Sequence, residues 1–121
     1  MQANALIPLF RLLKEQGIHI AVDTNGFPWN EDVQELVDLV DLFLVDIKQI
    51  DNDLHQKLTG QSNEPVLKFI NYLEKQGKQM RIRYVLLSGY TDNPEQLHEV
   101  GKQFGKFEHI ERLEILPYHE L

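Results

Sequence analysis

The 121-residue sequence contains no cysteine. That absence excludes a disulfide, a thiolate metal ligand and a cysteine nucleophile. Positive charge is also scarce: 12 Lys and Arg stand against 19 Asp and Glu, for a formal net charge of −7. An acidic surface suits neither a nucleic-acid backbone nor an anionic membrane face, so neither is an expected partner. No apolar run is long enough to span a bilayer. The N-terminus has neither the basic start nor the cleavage site of a secretory signal. The compartment left by these absences is the cytoplasm. No Gly-x-Gly-x-x-Gly follows the first strand-like run, which disfavours a dinucleotide-binding fold. Internal repeats and low-complexity segments are absent as well.

What is present is ordinary for one globular domain, with 42% hydrophobic and 26% charged residues. The organising stretch is Leu42-Phe43-Leu44-Val45-Asp46-Ile47-Lys48. Its near-continuous apolar run reads as a strand buried on both faces that emerges into a site. Strand alternation puts Asp46 and Lys48 on one face. Two such charges are costly at a strand exit unless they bind each other or a ligand.

Around that strand the chain alternates. Leu6, Leu9, Phe10 and Leu13 predict a helix over 4–16, with Pro8 near its first turn and Gly17 as C-cap. Residues 18–22 predict a strand, followed by the turn Asp23-Thr24-Asn25-Gly26. Asn30, ahead of Glu31 and Asp32, starts a helix whose apolar face is Val33, Leu36, Val37 and Val40. After the strand at 42–48, a short helix over 51–58 closes at Gly60. Ser62 or Asn63 caps the next helix, which has Pro65 in its first turn, Val66, Phe69, Ile70 and Leu73 on its core face, and Gly77 at its end. A third strand over 80–87 carries Arg83 and Val85 on one face, and 89–93 is a loop. Asn93-Pro94-Glu95-Gln96 has the form of a capping box for a helix to about 104. A fourth strand over 110–118 ends in Pro117-Tyr118-His119. This order predicts an α/β fold: four parallel strands with outer helices.

Sites in parallel α/β proteins form at the carboxyl ends of the strands. Those ends carry Asp23, Thr24 and Asn25, then Asp46 and Lys48, then Arg83, then His119. On a common concave face they would line one pocket, suited to a zwitterion or to a small cation beside a carboxylate. Each has a plainer alternative: Asp23 as a turn residue, Asp46 with Lys48 as a structural ion pair, Arg83 as a solvated edge charge, His119 as a surface histidine. His19, His55, His98 and His109 read as structural or exposed. Trp29 and Tyr90 lie in loops, where they are candidate partner contacts.

Five segments, GIHIAVDTNGF (17–27), DLFLVDIKQI (41–50), LHQKLTGQSN (54–63), IRYVLLSGYTDN (82–93) and LEILPYHEL (113–121), carry a resemblance that covers essentially the whole chain. They resemble the glycyl-radical-enzyme activating enzymes of the radical S-adenosylmethionine superfamily, most of all the branch that acts on pyruvate formate-lyase. The resemblance implies a partial (β/α)6 barrel, with S-adenosylmethionine across the strand ends beside a [4Fe–4S] cluster. Reductive cleavage there yields a 5′-deoxyadenosyl radical, which takes a hydrogen atom from a glycine of the target enzyme. It further implies that Asp23 and Asp46 belong to a monovalent-cation site. Thr24, Asn25, Lys48, Val85 and His119 would contact the cofactor, and Arg83 would lie near the target peptide.

Two family features are missing: the Cys-x-x-x-Cys-x-x-Cys cluster motif and the Gly-Gly-Glu-Pro segment that grips the methionine amine. Both lie N-terminal to the first helix in the family, so the chain is expected to be the C-terminal part of such an enzyme. Without three thiolates it is expected to bind no cluster and to be inactive alone. Its outer strands and uncovered concave face are expected to drive self-association. Two rivals stand beside this reading. Asp46-x-Lys48-x-x-Asp51 is similar to the signature of the orotidine-phosphate decarboxylase superfamily. Alternatively, the chain is a non-catalytic fragment that presents Arg83 and the loop 89–93 to a target.

Overall fold

The structure is a computed structural model, and it describes residues 3–26, 30–89 and 91–117. Helix α1 (Ala3–Glu15) leads into β1 (Ala21–Thr24), α2 (Glu31–Leu39), β2 (Leu42–Ile47), α3 (Asn52–Thr59), α4 (Glu64–Gln76), β3 (Met80–Leu86), α5 (Pro94–Phe104) and β4 (Ile110–Pro117). The strands form one sheet in the order β1-β2-β3-β4, and every pair is parallel. The predicted α/β architecture of four parallel strands with flanking helices is therefore the observed one.

Local chemistry explains most boundaries. The Asn30 side chain accepts the Val33 N–H at 3.0 Å, and Asp51 accepts the Leu54 N–H at 3.0 Å, each satisfying an amide that its helix leaves unpaired. Asn93 accepts the Glu95 N–H at 2.8 Å. Gly17, Gly60 and Gly77 close their helices with positive φ. Of the two candidate caps for α4, Ser62 receives the Glu64 N–H at 3.0 Å. Asn63 turns inward and donates to the Gln49 and Ile50 carbonyls at 3.1 and 2.8 Å.

Pro8, expected near the first turn of its helix, is the sixth residue of α1. Two expectations are corrected. The first strand begins later than residue 18: Ile20 serves Asp41 and Leu42 through its carbonyl, and pairing starts only at Ala21↔Leu42. Strand β2 is buried on one face, not both. Phe43, Val45 and Ile47 are fully buried, whereas Leu42, Leu44 and Asp46 are half-buried. The reason is one-sided coverage. Val22, the inward residues of β2, and Met80, Ile82 and Tyr84 of β3 join Val33, Leu36, Val37, Val66, Phe69, Ile70, Leu73, Val100 and Phe104 of the helices in one core. Among the described residues no helix covers the opposite, open face of the sheet, which carries Leu42, Leu44 and Asp46 of β2.

Candidate functional site

Parallel register fixes what meets on the open face. Asp23 pairs with Leu44, Asp46 with Arg83, and Arg83 with Glu114. Residues of like phase thus form rows across the sheet, with Asp23, Asp46 and Arg83 at the strand tips. The Arg83 Nε donates to Asp46 Oδ1 at 2.7 Å, and its Nη2 donates to Asp23 Oδ1 at 2.5 Å. One guanidinium therefore bridges two carboxylates across three strands. Asp46 then Asp23 hold Arg83 well above its ordinary pKa through these bonds, against the opposing effect of burial. The Asp23 side chain is 57% exposed and Asp46 only 20%, so the Asp46 arm is the better shielded from solvent.

Asp46 does not pair with Lys48, two residues along the same strand. Lys48 makes no ion pair among the described residues. Together with Asn25 and Asp46 it lines a cleft of about 1030 Å³, floored by Val66, Phe69 and Tyr72 of α4. Thr24 accepts the Gly26 N–H at 3.0 Å, which tightens the turn after β1. Gly26 has φ +105°, and a Cβ there would lie 3.2 Å from the Val66 Cα, so this turn rests directly on α4. Val85 is on β3 with the phase of Arg83. The structure therefore brings together Asp23, Asp46 and Arg83, and sets Asn25 and Lys48 at the adjoining cleft. His119, Trp29 and Tyr90 lie outside the described residues.

His55, expected to be structural or exposed, is buried at the cleft wall, where its Nδ1 donates to the Gln61 carbonyl at 2.6 Å. Two residues of this region escaped the sequence reading. Gln49 and Thr91 are each 1% exposed. Thr91 Oγ1 donates to the Val85 carbonyl at 2.7 Å and accepts the Leu87 N–H at 2.5 Å, knitting the turn that follows Arg83. A signal for Gln49 was present: it shares the inward phase of Val45 and Ile47, and a polar group in that phase requires partners. Asp51, the third position of the decarboxylase-like signature, accepts the Leu54 N–H through Oδ1 at the start of α3.

The family model of the Radical SAM superfamily matches residues 1–100. The chain belongs to the radical S-adenosylmethionine superfamily. Over its whole length it is 38% identical, across 123 residues, to the pyruvate formate-lyase 1-activating enzyme of Escherichia coli (strain K12), half of which it covers. It is 41% identical across 127 residues to the pyruvate formate-lyase-activating enzyme of Staphylococcus epidermidis (strain ATCC 12228 / FDA PCI 1200), covering 51% of that protein. The chain thus spans about half the length of these relatives. A crystal structure of a domain of pyruvate-formate lyase-activating enzyme from Bacteroides vulgatus ATCC 8482 superposes with a TM-score of 0.90 at 29% identity, covering 98% of this chain and 74% of that one. Streptococcus suis SuiB bound to S-adenosylmethionine shares the fold at a TM-score of 0.72 and 19% identity, over 96% of this chain and 27% of SuiB. The four-stranded sheet is thus a partial radical SAM barrel, and this family implies S-adenosylmethionine and an iron–sulfur cluster in the parent enzyme.

Proposed function

We propose that this chain is the C-terminal, cofactor-facing part of a cytoplasmic pyruvate formate-lyase activating enzyme. The observation that carries the proposal is the mixed-charge tip of the open sheet face. Asp23 and Asp46 share one guanidinium, Lys48 stands beside them without an ion-pair partner among the described residues, and an apolar-floored cleft adjoins. A zwitterion bearing a sulfonium needs anionic and cationic groups side by side, with apolar surface for its uncharged part. These residues fit S-adenosylmethionine. Lys48 would take its carboxylate, Thr24, Asn25 and Val85 would flank it with His119, and Asp23 with Asp46 would supply negative charge for the sulfonium or a monovalent cation. In this structure the position between the two carboxylates belongs to Arg83, so an inorganic cation there must displace or share with the guanidinium. Once freed, Arg83 would meet an acidic or carbonyl-rich loop of a glycyl-radical enzyme. When bound, S-adenosylmethionine is the source of the radical chemistry.

The chain's own residues do not fit the cluster. It has no cysteine, and among the described residues no group of three His, Asp or Glu could hold a metal ion. The isolated chain is therefore proposed to bind S-adenosylmethionine weakly, through Lys48 and the carboxylate pair, and to leave it uncleaved. Isothermal titration calorimetry should show binding that Lys48→Ala weakens about tenfold, the usual scale for one charge-assisted contact. Binding unaffected by Lys48→Ala, or cleavage of S-adenosylmethionine by the chain after cluster reconstitution, would overturn the proposal.

A further inference from the structure

Gln49 follows Lys48 at the exit of β2, yet its side chain enters the core. A buried primary amide is tolerated only when its donors and acceptors are met. Here they are met by separate elements. Gln49 Oε1 accepts from the Tyr84 hydroxyl of β3 at 3.3 Å and from the Asp51 N–H, ahead of α3, at 3.2 Å. Its Nε2 donates to Gln96 Oε1, in the first turn of α5, at 3.3 Å. Its backbone carbonyl accepts from Asn63 Nδ2, ahead of α4, at 3.1 Å. Gln96 is the residue that a capping box would have turned back onto Asn93; it reaches across to Gln49 instead.

We infer that Gln49 is the positioning residue of the open-face site: it pins the tip of β2 to β3 and to the first turn of α5. Lys48 is thereby held on the open side, in fixed relation to Arg83 and to the loop 87–93 that joins Arg83's strand to α5. The inference deepens the cofactor reading of Asp46 and Lys48 and rests on it. Alternation alone would orient Lys48 only as far as β2 pairs, and pairing ends at Ile47↔Tyr84. Beyond that point the side chain of Gln49 takes over from the sheet.

The test is amide hydrogen exchange on the full chain. In Gln49→Ala, exchange at Asp51, Gln96 and Leu97 should accelerate together by about tenfold or more while amides in α2 stay protected, the pattern of a local opening. Gln49→Glu supplies a conservative control. A protonated carboxyl can both accept and donate as the amide does, whereas an ionised one cannot donate. Protection at Gln96, corrected for intrinsic exchange, should therefore return in this variant as pH falls and be lost as it rises. Acceleration confined to Asp51, equal acceleration across α2, or a pH-independent Gln49→Glu would each overturn the inference. S-adenosylmethionine affinity measured in parallel separates the two claims. No binding by the wild type would sink the cofactor reading alone. Equal affinity in the wild type and Gln49→Ala would sink the positioning role.

Discussion

At the scale of single residues, the informative contact is the fork of Arg83 between Asp46 and Asp23. Replacing it by Gln leaves two carboxylates on adjoining rows with no cation between them. Most of the loss belongs to the Asp46 arm, since Asp23 is more than half exposed and exposed pairs contribute little. Arg83→Gln should cost about 1–2 kcal/mol in urea unfolding at low salt, the scale of a hydrogen bond to a charged group. If a small cation replaces the guanidinium between the carboxylates, part of that should return in KCl but not in choline chloride at equal ionic strength. Arg83→Lys keeps the charge but loses the planar fork and should fall between. An Arg83→Gln protein as stable as the wild type in low salt would show that the bridge contributes nothing. The same contact decides between the two readings of Asp46 and Lys48: they share a face, but the partner of Asp46 comes from another strand.

Among elements, the junction of α4 with β4 is held by one carboxylate. Glu74, near the end of α4, accepts the Glu108 N–H at 2.6 Å, the His109 N–H at 3.1 Å and the His109 Nδ1 at 3.0 Å. His109 in turn begins the β3–β4 ladder, its carbonyl accepting the Met80 N–H at 3.0 Å. Burial pulls the Glu74 pKa up, but the bonds from Glu108 and His109 together outweigh it, and the net shift is downward. A carboxylate depressed in the folded state stabilises the fold above its unfolded pKa, and that contribution is lost as pH falls through the folded value. The wild type should therefore lose stability to urea between about pH 5 and pH 3, and Glu74→Gln should flatten that segment of the profile while lowering stability at pH 7. An unchanged acid limb in Glu74→Gln would assign the loss to other carboxylates, with Asp41 the first to consider, since its bonds to Lys14 and the Ile20 N–H also depress it.

For the molecule as a whole, among the described residues, the sheet has β1 and β4 as its edges and no helix on one face. Strand β4 leaves Leu113, Ile115 and Leu116 between 38 and 42% exposed. An unpaired edge with apolar side chains is a template for another strand, so self-association is the expected behaviour. Light scattering should show mass rising with concentration, and a constant monomer mass at the highest attainable concentration would refute this. The sequence by itself determined the alternation of strands and helices, the caps Asn30 and Asn93, the glycine helix ends, the common phase of Asp46 and Lys48, and the family segments. These signals act over a few residues or recur as a pattern along the chain. Tertiary structure alone decided that Arg83, 37 residues from Asp46 and 60 from Asp23, joins the two, that Gln49 links four elements, and that the helices cover only one side of β2. Such choices depend on strand register and on which layer packs where, and no local pattern encodes the distance between residues that meet only when the sheet is assembled.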